Sequence, residues 1–301
     1  MKDNKNSFVC IGAVHIDYIL QLQKKHFKNR TNPITQKEYL GGVAYNIALR
    51  LSFLKQNIEL ISLNCKKEIK KEILKNKIKF NPITETIFNR FYSTILNSKG
   101  EMILGLANMD IYEKTNISKK KKKFRNKNII FDLNLSCKVI NVLIKKYSIN
   151  NNICICGTSA HKIYKIKNLL TKISTIILNK QEALNLTNKK TIKDALFYLI
   201  KKNKQLTTII TNGKNTLMAY HNKIIYSCKP PQVIIQNENG AGDSMSAFFN
   251  YFIIFHEFKI ALIKSMIAGS LKVAGYKANK KTYLLKINQI SRKIKIKTKN
   301  I

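Results

Sequence analysis

The stretch Asn239-Gly240-Ala241-Gly242-Asp243-Ser244, followed directly by an apolar run from Met245 to Phe255, decides how this chain folds and what it can bind. Two glycines and an alanine let the backbone approach a ligand closely, and the aspartate stands at the start of a predicted helix. A turn of this kind points several backbone N–H groups at one anion, and the helix N-terminus adds partial positive charge. We therefore expect Gly240, Ala241 and Gly242 to stabilise charge on a moving phosphoryl group. Asp243 would accept the proton of an attacking hydroxyl.

Short apolar segments rich in β-branched residues alternate with helical segments along most of the chain. We expect a first buried strand at 7–12, a helix at 42–54 and a strand at 59–63. Further strands are expected at 128–133, 153–156, 175–178 and 207–211. This alternation predicts an α/β protein with a doubly wound, mostly parallel central sheet and helices on both faces. Ligands of such sheets bind beyond the carboxyl ends of the strands.

Two regions depart from this alternation. One is segment 24–40, and the other is the pair of half-alternating strands at 90–96 and 101–107, whose connecting turn Asn97-Ser98-Lys99-Gly100 is typical of a β-hairpin. We expect the whole chain, 1–301, to form one domain in which segments at about 15–40 and 88–107 make a small β lid. The tail from Ile287 on is expected to form a final strand or helix.

The charge of the chain is extreme, with 55 Lys and Arg against 16 Asp and Glu and a net charge of +39. One interpretation is a nucleic-acid or anionic-membrane partner. The other is the base composition of an AT-rich genome, which enriches Lys, Asn and Ile. The lysines are spread over nearly the whole length, which favours the second interpretation. The cluster Lys119–Lys123 is expected to be a solvated loop, because no aromatic residues lie among its lysines.

The six cysteines form no CxxC pair and match no zinc-ligand spacing. Most lie in apolar runs, which favours buried free thiols in a reducing compartment. No signal-peptide pattern precedes the first strand, and the apolar stretch Ala247–Phe255 is too short to span a bilayer. These observations predict a soluble, cytoplasmic protein.

Two common nucleotide-binding motifs are absent. Gly213-Lys214-Asn215-Thr216 resembles part of a Walker A sequence but has the wrong spacing. Gly240-x-Gly242 is followed by Met245 where a dinucleotide-binding motif needs its third glycine. Both P-loop NTPases and dinucleotide-binding enzymes are disfavoured.

Four motifs, in this order, resemble those of the ribokinase-like (PfkB) family of carbohydrate and nucleoside kinases. They are Gly12-Ala13-Val14-His15-Ile16-Asp17, Gly41-Gly42-Val43-Ala44-Tyr45-Asn46-Ile47-Ala48, Asn179-Lys180-Gln181-Glu182 and Gly240-Ala241-Gly242-Asp243. The resemblance covers residues 7 to about 285. It implies a ribokinase-like fold and a kinase that uses ATP and Mg²⁺.

The resemblance also implies roles for single residues on the acceptor side of the site. Asp17 would bind sugar hydroxyls, and Asn46 would contact the sugar. Gly41 and Gly42 would form the hinge of the lid and line the substrate site. From the residues alone, the alternative for Asp17 is a turn or cap residue after a strand, and the alternative for Asn46 is a residue of a helix surface.

On the nucleotide side, the resemblance gives Asn179, Thr211 and Gly213 contacts with ATP. Glu182 would act on magnesium, through water. The alternatives are a solvated acid at a helix start for Glu182 and a helix N-cap for Asp243. Asn239 stands where the family usually has threonine, a departure that removes no chemical group from the mechanism.

Within the family, four segments resemble pseudouridine kinases. They are Tyr39–Ala48 with the upstream Asn32-Pro33, Ala107–Ile111, Asp132-Leu133-Asn134-Leu135 and, more roughly, Thr158-Ser159-Ala160-His161-Lys162. We therefore expect transfer of the γ-phosphoryl group to the 5′-hydroxyl of pseudouridine. A ribokinase, fructokinase, adenosine kinase or inosine–guanosine kinase remains the alternative within the family.

A different class also remains open, namely a basic nucleic-acid-binding protein on a degenerate kinase scaffold. It requires the positive charge to form one continuous face, and it would bind with a steep dependence on salt. The intact Gly240–Asp243 turn and the Asn179/Glu182 pair argue against it. Family members often dimerise through the lid, so a homodimer is expected, with a small sugar or nucleoside as the other partner.

Overall fold

The structure, a computed structural model, describes residues 7–115 and 122–301, which form 14 strands and nine α-helices. The strands are β1 (Ser7–Ile11), β2 (His15–Leu22), β3 (Ile34–Gly41), β4 (Asn57–Ser62), β5 (Ile78–Pro82), β6 (Phe91–Leu96), β7 (Met102–Asn108), β8 (Asn128–Phe131), β9 (Asn152–Cys156), β10 (Thr175–Asn179), β11 (Thr207–Thr211), β12 (Leu217–His221), β13 (Ile224–Cys228) and β14 (Ile296–Asn300). The helices are α1 (Val43–Phe53), α2 (Lys67–Lys75), α3 (Ile111–Lys114), α4 (Cys137–Tyr147), α5 (Lys180–Thr187), α6 (Ile192–Lys202), α7 (Ala241–Phe252), α8 (Phe258–Val273) and α9 (Lys280–Ser291).

A ten-stranded sheet forms the centre of the molecule, in the order β14-β13-β12-β11-β10-β9-β8-β1-β4-β5. All neighbouring strands from β11 to β5 pair in parallel. The strands β12, β13 and β14 extend one edge with antiparallel pairs. The predicted mostly parallel sheet is therefore confirmed, and the parallel strands end at the same edge.

The core lies on both faces of this sheet, as the continuous apolar runs of the parallel strands require. On β1, Phe8 and Cys10 pack into a cluster with α1, α7 and α8. The alternating residues Val9 and Ile11 pack into a second cluster with α4, α5 and α6. Helices therefore cover the sheet from both sides, as expected.

A smaller sheet of four strands, in the order β3-β2-β6-β7, lies in the regions that depart from the βα alternation. The strands β2 and β3 fall within 15–41, and β6 and β7 form the hairpin anticipated around Asn97–Gly100. The strands β2 and β6, distant in sequence, pair in parallel at its centre. That this sheet acts as a lid within a single domain stays a prediction.

The carboxyl-terminal part differs from the sequence expectation in detail. The hairpin of β12 and β13, whose turn places Asn222 and Lys223 at φ 46° and 65°, was not anticipated. The tail forms both α9 and a last strand, β14, that pairs with β13.

Of the basic cluster, Lys119–Lys121 lie outside the described residues, and Lys122 pairs with Glu59 at 2.5 Å. All six cysteines are free.

Within 7–115 and 122–301, no helix combines the length and the apolar character needed to cross a bilayer.

Candidate active site

The turn before α7 has the geometry of an anion site. Gly240 adopts the left-handed conformation (φ 75°, ψ 10°) and serves as the N-cap without a side-chain hydrogen bond. The space beside Gly242 is open, since a Cβ added there would meet no atom within 4 Å. The first N–H groups of a helix lack acceptors within the helix, so a turn of this kind can bind an anion. The N–H of Ala241 also donates to Glu238 O at 3.3 Å.

Asp243, in the first turn of α7, is held by α1. The Nδ2 atom of Asn46 donates a hydrogen bond of 2.8 Å to Oδ2 of Asp243. Burial raises the pKa of Asp243 to about 6, although the Asn46 hydrogen bond acts in the opposite direction. A carboxylate with such a pKa is ionised at neutral pH and accepts a proton more readily than an exposed one. The resemblance to the kinase family predicts that Asn46 contacts the sugar. In the structure its side chain contacts Asp243.

Asn179 and Glu182 form a capping box at the start of α5. The backbone N–H of Asn179 donates to Oε2 of Glu182 (2.8 Å), and the N–H of Glu182 donates to Oδ1 of Asn179 (2.9 Å). Glu182 is buried, and this burial raises its pKa to about 7, with a further contribution from the negative charge of Asp243. The charge of Asp243 acts on Glu182, so the two carboxylates lie within electrostatic range of each other. The space around these two side chains is called the candidate pocket below.

Gly157, after β9, is a residue of this pocket that sequence reasoning missed. A Cβ at this position would lie 1.9 Å from Oε2 of Glu182, so only glycine leaves room for that carboxylate. Its N–H continues the sheet by donating to Ile177 O at 2.9 Å. A single glycine after a strand was the available signal, but it does not reveal which side chain lies above it.

Asp17 lies on β2, opposite β3, beside the first glycine of the di-glycine motif. A Cβ on Gly41 would lie 2.0 Å from Oδ2 of Asp17. The Nε2 atom of His15 lies 3.0 Å from Oδ1 of Asp17, while the buried Nδ1 of His15 has no hydrogen-bond partner among the described residues. Gly42 adopts φ 107° at the N-cap of α1, where a Cβ would come within 2.3 Å of Ala13 O.

The other nucleotide-side residues lie along the same sheet edge. Thr211 ends β11 and pairs with Asn179 in the register of β10 and β11. Its Oγ1 donates to Leu178 O at 3.3 Å. Gly213 follows in a turn at φ 56°, with no atom within 4 Å of an added Cβ.

The structure therefore brings Asn46, Asp243 and Glu182 together and sets Asn179 beside Thr211. In the described parts of the chain, no hydrogen bond or ion pair links Asp17 to Asp243. Asp17 lies on β2 of the smaller sheet and Asp243 in the first turn of α7, which packs on the larger sheet. The roles of the individual residues stay predictions.

Asp132, at the end of β8, organises the loops around the site. Its Oδ2 accepts hydrogen bonds from the N–H groups of Ala13 (2.8 Å) and Ala44 (3.0 Å), and its Oδ1 accepts from Asn134 (2.8 Å). The side chain is fully buried, and a Cβ on Gly12 would lie 2.2 Å from it. Asp132 therefore fixes the loop after β1 and the start of α1, the helix that carries Asn46.

Arg90 is a second buried side chain that organises the site, and it was not predicted from the sequence. Its guanidinium donates to the backbone oxygens of Val14 (2.7 Å), Asn64 (2.8 Å) and Leu63 (2.9 Å). It also donates to the hydroxyl of Tyr112 (2.7 Å). Arg90 thereby ties the smaller sheet to the strand ends of the larger one.

Comparison with known proteins identifies the family. The pattern of the pfkB family of carbohydrate kinases matches residues 5–258. Among solved structures, the chain is similar to a carbohydrate kinase from Agrobacterium tumefaciens, with 20% identity and a TM-score of 0.82, covering 98% of this chain and 100% of that one. It is also similar to a ribokinase from Cryptococcus neoformans in complex with ADP, with 13% identity and a TM-score of 0.71, covering 95% and 98%. The fold is thus ribokinase-like.

A nucleoside kinase from Methanocaldococcus jannaschii has the same fold, with 18% identity and a TM-score of 0.72 over 96% of this chain and 98% of that one. A curated relative is a pseudouridine-metabolizing bifunctional protein of Schizosaccharomyces pombe, 28% identical over 186 residues. That match covers 58% of this chain and 25% of the relative, so the chain spans about a quarter of its length. These matches give no support to the nucleic-acid-binding alternative.

Proposed function

The chain belongs to the pfkB family of carbohydrate kinases, and we propose that it transfers the γ-phosphoryl group of ATP to a hydroxyl of a sugar or nucleoside. The observation that carries the proposal is Asp243 at the open turn before α7, hydrogen-bonded to Asn46 at 2.8 Å. A proton acceptor and a set of backbone donors for a phosphoryl group meet there.

In the proposed reaction, the acceptor hydroxyl gives its proton to the carboxylate of Asp243 while its oxygen bonds to the γ-phosphorus. The bond between that phosphorus and the bridging oxygen breaks, and ADP leaves with the electron pair. The N–H groups of Ala241, Gly242 and Asp243 stabilise the equatorial oxygens of the phosphoryl group. We propose that Asp17 binds the acceptor and that Thr211, Gly213 and Asn179 contact the nucleotide, as the resemblance of their motifs to the family implies.

The residues present fit a magnesium ion held mainly by phosphates. The described residues contain no cluster of three or more His, Cys, Asp or Glu side chains that could hold a metal. Glu182 faces the negative charge of Asp243 across the pocket, and one of its oxygens already accepts the Asn179 N–H. Magnesium prefers one or two carboxylates with phosphates and water, and when bound it neutralises phosphate charge. Glu182 would hold it through water.

We propose pseudouridine as the acceptor, phosphorylated at its 5′-hydroxyl. The support is the partial similarity to the pseudouridine-metabolizing protein and the four segments that resemble pseudouridine kinases. Other sugars and nucleosides of the family are the competing acceptors. We propose a cytoplasmic location for the protein, which is compatible with any of these acceptors.

We also propose that the chain acts as a homodimer through the smaller sheet, whose edge strand β7 exposes Met102, Leu104 and Leu106.

The test is ATP consumption with magnesium against pseudouridine, uridine, adenosine, inosine, ribose and fructose. Pseudouridine is expected to give turnover, and Asp243→Asn to reduce it by about 10³-fold or more, because the variant keeps the shape but not the proton acceptor. Glu68→Gln, which neutralises an exposed carboxylate on α2, is the matched control. Turnover with another sugar alone would refute pseudouridine as the acceptor but would leave the kinase activity supported. Near-normal turnover of Asp243→Asn would refute the role of Asp243 as proton acceptor.

A further inference from the structure

Lys272 approaches the open turn from α8. The face of α8 that packs on the start of α7 contains Ala268, whose O accepts from Ser244 Oγ at 3.3 Å. It also contains Gly269, where a Cβ would lie 3.3 Å from Ala241 O. Lys272 follows Gly269 by three residues and so shares this face. Its Cε lies 3.5 Å from the position of a Cβ on Gly240.

Arg50 lies on α1, on the same face as Asn46. It stands four residues after Asn46, one helical turn further on, and Asn46 is the residue that contacts Asp243. Burial is the main influence on the pKa of Asp243 and raises it, and the positive charges of Arg50 and Lys272 act in the opposite direction. The two cations also act on one another. The pKa of Lys272 is lowered first by burial and then by Arg50, with Lys277 adding to the effect and Asp243 opposing it.

These two cations have no partner of their own. Among the described residues, neither the side chain of Arg50 nor that of Lys272 makes a hydrogen bond or an ion pair. Both are partly buried, unlike the many exposed lysines of this chain. Two like charges held near each other and away from bulk water repel, and a multiply charged anion between them would remove that repulsion. The carboxylate of Asp243 supplies only one negative charge.

We propose that Arg50 and Lys272 form a cationic clamp for the phosphoryl group that is transferred, holding it against the turn at Gly240. The clamp rests on the proposed kinase function and deepens it by naming two side chains that contact the γ-phosphate. In the transfer, the bond from the γ-phosphorus to the acceptor oxygen forms and the bond to ADP breaks. The clamp contacts the non-bridging oxygens throughout, while the proton goes to Asp243. Paired cations stabilise this group as it carries its charge from donor to acceptor.

The clamp predicts a preference for nucleotides that carry a γ-phosphate. The measurement is calorimetric binding of ADP and of the non-hydrolysable β,γ-imido analogue of ATP, each with magnesium and without acceptor. We expect the wild-type protein to bind the analogue more tightly than ADP. Arg50→Met and Lys272→Met should each reduce that preference by about 10-fold, with little change for ADP. Lys259→Met, an exposed lysine on the first turn of α8, is the control and should leave it unchanged.

A second measurement separates the clamp from a purely structural role. In the absence of nucleotide, thermal unfolding of Lys272→Met should occur at the wild-type temperature or above, because a repulsion has been removed. Lys272→Arg should retain most of the preference for the analogue.

Three results would refute the proposed clamp without refuting the proposed kinase activity. They are an unchanged preference in both methionine variants, an equal loss of ADP and analogue affinity, and a lowered unfolding temperature without nucleotide. Failure of the wild-type protein to bind either nucleotide would instead refute the proposed function, and the clamp with it.

Discussion

Replacing Asp243 with asparagine should make the folded protein more stable at neutral and alkaline pH, even though it should reduce turnover by about 10³-fold or more. The ordinary pKa of an aspartate is 3.8, and burial raises that of Asp243 to about 6 in the folded state. Folding therefore costs free energy whenever this carboxyl is ionised. Asparagine has nearly the same shape and can still accept the hydrogen bond from Asn46, but it carries no charge.

The size of the effect follows from the two pKa values. At roughly 1.36 kcal/mol for each pKa unit, the difference corresponds to about 3 kcal/mol above the folded-state pKa. The cost disappears below the unfolded-state pKa, where the carboxyl is protonated in both states. Asp243→Asn should therefore gain up to about 3 kcal/mol in the free energy of unfolding at pH 8. At pH 4 the gain should fall to about 0.6 kcal/mol.

The assay is urea denaturation of both proteins at pH 4, 5, 6 and 8, with Glu68→Gln as the control for loss of one carboxylate. The two proteins share every other titrating group, so their difference reports the ionisation of Asp243 together with its influence on Glu182 and Lys272. A variant that is less stable than the wild type at pH 8 would refute the reasoning. So would a gain that does not change with pH, because the effect would then not come from ionisation.

Two further predictions concern the hydrogen bond to the base and the state of assembly. Asn46→Ala removes a hydrogen-bond donor that lowers the pKa of Asp243. The acid limb of the pH profile of kcat/KM should therefore move to higher pH by about one unit or more. An unchanged acid limb would contradict its assignment to Asp243. Light scattering should give twice the chain mass of 34.7 kDa, and Leu104→Lys, on the exposed edge strand β7, should halve it. A monomer in the wild-type protein would rule out the dimer.

The parts of the fold that the sequence predicts are those with local signals. The strand at β1 is a continuous apolar run, and the start of α7 carries two glycines and an aspartate before an apolar helix. Each pattern depends on neighbours within a few residues, so sequence reasoning finds it. The hairpin of β12 and β13 was missed because its turn uses Asn222 and Lys223, without the glycine that usually marks such a turn.

The pairing of site residues could not be read from the sequence in the same way. Gly157 and Glu182 are 25 positions apart along the chain, and their contact arises because adjacent strands β9 and β10 end at one edge. A lone glycine after a strand has many possible reasons, and only the carboxylate above it explains this one. The contact of Asn46 with Asp243 likewise depends on how α1 packs against α7.

Two buried polar side chains, Asp132 and Arg90, position the backbone around the site in a chain with a net charge of +39. Asp132 accepts three backbone N–H groups, from the loop after β1, the start of α1 and the loop after β8. Arg90 donates to the backbone oxygen of Val14 in the loop after β1 and to those of Leu63 and Asn64 after β4. Each satisfies backbone groups that would otherwise be buried without partners, at a cost of about 1–3 kcal/mol apiece. A surface rich in lysine can vary without touching these contacts. Asn46 and Asp243 therefore keep their geometry independently of the surface charge.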